Sequence, residues 1–332
     1  PVRGNGRAIL SGERTALRKS DGNWQIVEPT SARADDTEVS TITTNLATVE
    51  NARVVDENPS DLAQYGLAEP RVDVGFKSSD DKSERHLLIG DKTATGGEVY
   101  AKTGGDKKVF LISAYLDSTF NRSSFDLRDK AILRFERDKV DQVEVAGTEQ
   151  TVRLTRSEGE WVLAQPIQAP ADYGTVEGLV GRLQSAQMKA IAAPEAAELA
   201  QYGLDKPELT ASVGAGSTRA TLLIGKKTDA GTMYAKDASR PLVFTVEATL
   251  LDDLRKTVDE LRRKDLFAFR SYNATAVDFT RGTETISFER VKGTDKDASE
   301  TWRQTKPAAR QADASAVDPM LTKFANLRAQ SG

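Results

Sequence analysis

Three groups of residues in this chain of 332 have types and spacings that could do chemistry. The first is a set of aspartates, Asp35, Asp172 and Asp313, each directly after an alanine. Paired with a second acid about 5–10 Å away, such a carboxylate could hydrolyse by general acid and base catalysis. Each one, however, precedes an apolar pattern of helical spacing, which predicts a helix N-cap. Glu38, three residues after Asp35, is expected to complete a capping-box-like pair. The second group is Gly90-Asp91-Lys92-Thr93 and Gly225-Lys226-Lys227-Thr228, which superficially match the end of a phosphate loop. Both lack that loop's first glycine, and strand-like sequence follows where a helix should start, so hairpin turns are predicted. Gly214-Ala215-Gly216 similarly lacks the third glycine and the helix of a dinucleotide loop. The third group is Asp126-Leu127-Arg128-Asp129-Lys130 and its counterpart Glu260-Leu261-Arg262-Arg263-Lys264. Arg128, Lys130, Arg262 and Lys264 are candidate contacts for an anion, a lipid headgroup or a partner's acidic patch. Placed just beyond a helix, they would also favour its negative end, and isolated surface charges contribute little, so a structural role is preferred.

Other chemistries fall away on residue type. With no cysteine and one histidine, thiolate nucleophiles, disulfides and Cys/His zinc sites are excluded. His86 has Thr221 as its counterpart in the second copy of the repeat described below, which favours a half-exposed strand-end residue over an acid, base or ligand. The acidic pairs Asp80-Asp81 and Asp252-Asp253 lack the alternating spacing of a calcium loop and are read as solvated turns. No catalytic residue, cofactor or metal is therefore expected. Lys and Arg total 46 against 50 Asp and Glu, a formal charge of -4, so nothing global draws the chain to nucleic acid.

The elements that position these residues come from an internal repeat. Trp24-Gln25-Ile26-Val27-Glu28-Pro29 recurs as Trp161-Val162-Leu163-Ala164-Gln165-Pro166 and as Trp302-Arg303-Gln304-Thr305-Lys306-Pro307, accounting for all three tryptophans. A tryptophan at one equivalent place in each copy serves a core better than a stacking platform for sugars or bases. Each is followed by Ala-Asp and then by one amphipathic helix: Val39, Ile42, Leu46 and Val49; Val176, Leu179, Leu183 and Ala186; Val317, Met320, Phe324 and Leu327. Two copies continue through Tyr65-Gly66-Leu67 and Tyr202-Gly203-Leu204 into short β-branched and aromatic runs that predict an antiparallel meander. A second helix is expected near Ala114 to Asn121 and Glu247 to Leu261.

The expected fold is thus α+β: tandem modules, each an antiparallel sheet with two principal helices. The expected divisions are 1–133 for a first module with an incomplete leading strand, 134–267 for a second, and 268–332 for a partial third copy acting as a cap. These motifs resemble the bacterial family of domains of unknown function numbered 4340, over nearly the whole chain. The resemblance implies a protein held by one N-terminal transmembrane helix, which this chain lacks, on the extracytoplasmic (periplasmic) face of the inner membrane. It also implies work beside ABC transporters similar to the gliding-motility type; the family has no established catalytic residues to carry over. The function expected is that of a non-enzymatic binding or scaffolding module, partnered by ABC transporter subunits or another envelope protein. The alternatives are a carboxylate-based hydrolase acting on an envelope glycan or lipid, and a purely structural spacer.

Overall fold

A computed structural model describes residues 6–10, 12–50, 53–78, 83–292 and 300–329, so that the pair Asp80-Asp81 lies outside the described residues. The first copy runs β1 (Gly6–Leu10), β2 (Glu13–Ser20), β3 (Asn23–Glu28), β4 (Ala32–Arg33), α1 (Asp36–Thr48), β5 (Arg53–Asp56), β6 (Val72–Phe76), β7 (Arg85–Lys92), β8 (Glu98–Thr103), β9 (Val109–Ser113) and α2 (Tyr115–Phe120). The second repeats this order as β10 (Gln142–Gly147), β11 (Thr151–Ser157), β12 (Glu160–Gln165), β13 (Ala169–Pro170), α3 (Tyr173–Ser185), β14 (Ala190–Ala193), β15 (Leu209–Ala215), β16 (Thr218–Lys227), β17 (Met233–Asp237) and β18 (Val243–Val246). It closes with α4 (Thr249–Leu254) and α5 (Val258–Leu261). The third copy comprises β19 (Ala276–Arg281), β20 (Glu284–Val291), β21 (Thr301–Lys306), β22 (Arg310–Gln311) and α6 (Ala314–Ala325).

Equal sequence gives equal topology. Nine strands pair in the order β4-β3-β2-β1-β6-β7-β8-β9-β5, and nine more as β13-β12-β11-β10-β15-β16-β17-β18-β14. The third copy forms a four-stranded sheet, β19-β20-β21-β22. All the ladders whose registers are resolved are antiparallel, as the meander pattern predicts. The fold is α+β. The leading strand of the first copy, expected to be incomplete, is β1: five residues against six in β10, and bonded on both sides, to β2 and β6. By contacts the chain divides into Pro1–Ala131 with Gln187–Ala190, and Ile132–Ala186 with Ile191–Gly332.

Burial follows the two periodicities. In β3 the alternate residues Trp24 and Ile26 are buried, in β12 Trp161 and Leu163, and in β21 Trp302 with Gln304. Each of these strands slips register against its neighbour at an equivalent place, Ala16/Leu17, Arg153/Leu154 and Ser287/Phe288, just before the proline that ends it. That proline follows a cis peptide bond in all three copies. From the helices, Val39 and Ile42 of α1, and Val176, Leu179, Val180 and Leu183 of α3, go to the core. Each such side chain contributes roughly 1.5–3 kcal/mol when fully buried.

Two local expectations are corrected. Gly90 and Gly225 lie inside β7 and β16, not in turns; the turns follow, with Gly96 N–H bonded to Thr93 O and Gly231 N–H to Thr228 O. Glycine is required there because a Cβ would come within 2.1 Å of the Tyr65 carbonyl at Gly90, and within 2.2 Å of the Tyr202 carbonyl at Gly225. The Tyr-Gly-Leu loop lies directly on the strand, held by ring contacts Tyr65–Tyr100 and Tyr202–Tyr234. The helix expected over Glu247 to Leu261 is broken into α4 and α5, because Thr257 and Glu260 form a reciprocal capping box that starts a new helix. Asp252 and Asp253 accordingly lie on α4 and not in a turn, and Asp253 pairs with Arg182 at 2.7 Å.

Candidate functional site

The repeated aspartates are caps. Asp35 accepts the N–H groups of Thr37 at 2.9 Å and Glu38 at 3.2 Å, Asp172 that of Thr175 at 2.9 Å, and Asp313 that of Ser315 at 2.9 Å. Glu38 does not complete the expected box. Its carboxylate pairs with Arg122, and the Asp35 N–H it would have accepted is taken by the Leu127 carbonyl at 2.8 Å. Asp172 also meets Arg328 at 2.8 Å. Burial pushes its pKa up, but the bonds from Thr175 and Arg328 outweigh this and hold it below the ordinary aspartate value. The hydroxyl and N–H of Ser315 do the same for Asp313.

The four candidate cations belong to a strap that runs past these caps. Leu127 and Leu261 are buried as its plugs. Their carbonyls accept the N–H of Asp35 and of Asp172, each at 2.8 Å, while Asp129 N–H bonds Arg33 O and Arg263 N–H bonds Pro170 O. Arg128 forms a bridge with Ala34, and Arg262 with Ala171. Further on, the Lys130 carbonyl accepts Met188 N–H at 2.9 Å, and the Lys264 carbonyl accepts Ala329 N–H at 2.8 Å. The two lysine side chains are engaged locally. Lys130 Nζ donates to Asp126 O at 2.8 Å and lies 5.4 Å from the centre of the Phe125 ring. Lys264 pairs with Asp259 at 2.6 Å. Arg128 and Lys130 lie in the first unit, Arg262 and Lys264 in the second.

The tryptophans are core residues, with polar partners the sequence reading missed. Trp161 Nε1 donates to Glu177 at 3.0 Å and Trp302 Nε1 to Asp318 at 2.8 Å, with Arg156 and Arg290 over the rings. The signal was present: each acid follows its tryptophan by sixteen residues, whereas Trp24 has Ser40 at that distance. His86 lies second in β7, with Nδ1 2.6 Å from Asp73, while Thr221 shares a hydroxyl bond with Ser212. Among the described residues no three His, Asp or Glu side chains converge as metal ligands, and no helix is long and apolar enough to cross a membrane.

One open surface is apolar. On the third copy a groove of about 560 Å³ is walled by Phe267, Phe269, Val277, Phe279, Leu321 and Phe324. Phe267 and Phe279 approach Phe324 at 6.4 and 5.9 Å between ring centres. No composition or motif argument pointed to it, because the same pattern is core in the second copy. Neither the curated proteins nor the solved structures contain a match to this chain. The repeat itself does: residues 24–160 and 161–331 each match the family described as a domain of unknown function, DUF4340, and the chain belongs to that family.

Proposed function

We propose that this chain is a non-enzymatic binding or scaffolding module on the extracytoplasmic face of a membrane. In its native form it is tethered there, as an accessory to an ABC-type transport or envelope system similar to the gliding-motility type. One observation carries the reading. The repeated aspartates and the strap backbones are occupied by the fold, while among the described residues an apolar groove of about 560 Å³ is open on the third copy. Exposed apolar concavities of this kind suit partner binding.

The test is co-purification of the membrane-extracted protein with its bound partners identified by mass spectrometry. Transporter subunits are expected in the bound fraction. A co-purification profile unchanged by deletion of the transporter subunit would overturn the accessory role. Alanine at Arg128, Lys130, Arg262 and Lys264 is expected to leave recovery within about twofold, since at least the two lysines already have partners within their own straps.

A further inference from the structure

We propose that the second copy binds a carboxylate carried on a short apolar arm, in a cavity between the β10–β11 turn and the segment that joins α4 to α5. The cavity has a volume of about 240 Å³. The turn contributes Glu149 and Gln150 to its lining, the joining segment Arg255 and Lys256, and the strands the buried side chains Val145, Val152 and Leu209. The proposal goes beyond the binding reading above and needs neither the groove on the third copy nor a transporter.

Its basis is the first copy, where a carboxylate of the chain itself occupies the corresponding place. The two copies match residue for residue here. Helices α2 and α4 end alike, at Asn121 with φ −83° and ψ 73° and at Arg255 with φ −82° and ψ 73°. Two residues further on, Ser123 and Asp126 exchange the same pair of bonds as Thr257 and Glu260. On the strand side, the pairing of Lys19 with Trp24 and of Arg156 with Trp161 puts Glu13 at the position of Gln150. Glu13 reaches across to the joining segment: its carboxylate accepts the N–H of Ser124 at 3.3 Å and the Ser124 hydroxyl.

The second copy changes every member of that contact. Gln150 carries no charge, and Val258, at the position of Ser124, has no hydroxyl. The cations change in the opposite sense. Arg255 stands where the first copy has Asn121, and its side chain has no hydrogen bond or ion pair among the described residues. Lys256 stands at the position of Arg122, which pairs with Glu38, but Glu38 is replaced by Thr175. Lys256 meets only the nearby Glu260, at 3.6 Å, among the described residues. A guanidinium and an ammonium beside a concave, partly apolar surface complement an anionic group with a small hydrocarbon body. Carboxylate is the class because the group that fills this place in the first copy is one. Glu149, which replaces Gly12, also lines the cavity, and its charge opposes an anion there.

The test titrates the 332-residue chain at constant ionic strength with two probes, valerate and N-acetylglutamate N-methylamide, and follows backbone amide shifts by NMR. Saturable shifts are expected at Gly147, Glu149 and Thr257 with at least one probe, and none with the neutral isostere valeramide. Arg255→Gln, a change at an exposed side chain, should weaken binding about tenfold with Trp161 fluorescence unchanged. Glu149→Gln should strengthen it about twofold. Saturation by valerate alone supports a free acid as the source, and saturation by the glutamate derivative alone supports an acidic side chain of a polypeptide. No saturable shift with either probe, equal binding of valeramide, or binding indifferent to Arg255→Gln overturns the proposal. Weaker binding in Glu149→Gln overturns it in favour of a cationic ligand.

Discussion

Asp172 combines two contacts in one carboxylate, capping α3 through Thr175 and meeting Arg328. The cap is the larger contribution, since Arg328 is half exposed and such pairs contribute little. Asp172→Ala should lower stability by about 1 kcal/mol at pH 7 in urea unfolding. Because the folded pKa lies below the ordinary value, this contribution is complete above the unfolded aspartate range, about 4, and is lost as pH falls through the folded value. The gap between parent and variant should therefore narrow in acid, and a gap that widens below pH 4 would contradict the assignment. Gly225→Ala brings a Cβ against the Tyr202 carbonyl and should cost about 1–3 kcal/mol or more, measured as a lower denaturation midpoint. The aspartates were legible in sequence because a cap has a fixed position ahead of a helix. Gly225 was misread, because nothing local distinguishes a turn glycine from one on which a distant loop rests.

At the scale of elements, periodicity carried most of the fold. The Trp strands, the meander and the first helix of each copy follow from alternation and 3.6-residue spacing, and the α3 face of Val176, Leu179, Val180 and Leu183 is buried as a stripe. Element ends were less readable. The break between α4 and α5 depends on the side chains of Thr257 and Glu260 bonding back to the chain, a signal present in the spacing but outweighed by the surrounding apolar residues. The destination of Glu38 depended on Arg122, far away in sequence, and no local rule reaches that far. Helix α3 also contains an exposed glycine, Gly178, with open space where a Cβ would go. Gly178→Ala should raise stability by about 1 kcal/mol, and a lowered midpoint would show that the helix surface is in use.

At the scale of the molecule, the repeat in sequence and the sheet in space are out of phase. The family segments meet between Glu160 and Trp161, within strand β12, whereas the sheet containing that strand begins at β10. The third copy, with a core of Trp302, Val317 and Leu321, has far less buried apolar surface than the first, whose core includes Trp24, Ile26, Val72, Ile89 and Phe120. One tryptophan per copy makes this measurable. In variants keeping a single tryptophan, with phenylalanine at the other two sites, the Trp302 signal should shift at lower urea than those of Trp24 and Trp161. Coincident transitions would mean the third copy is stabilised as strongly as the others.

The strand order shared by the copies also makes this architecture extensible. A chain lengthened after Ala329 by a second run of residues 189–261 would supply the strands and helices that follow α3 in the second copy, β15 among them, and so build a third nine-stranded sheet. In both nine-stranded sheets the outer edge of the leading strand is filled by a strand from beyond the first helix, so a sheet closes only after the chain has passed through that helix.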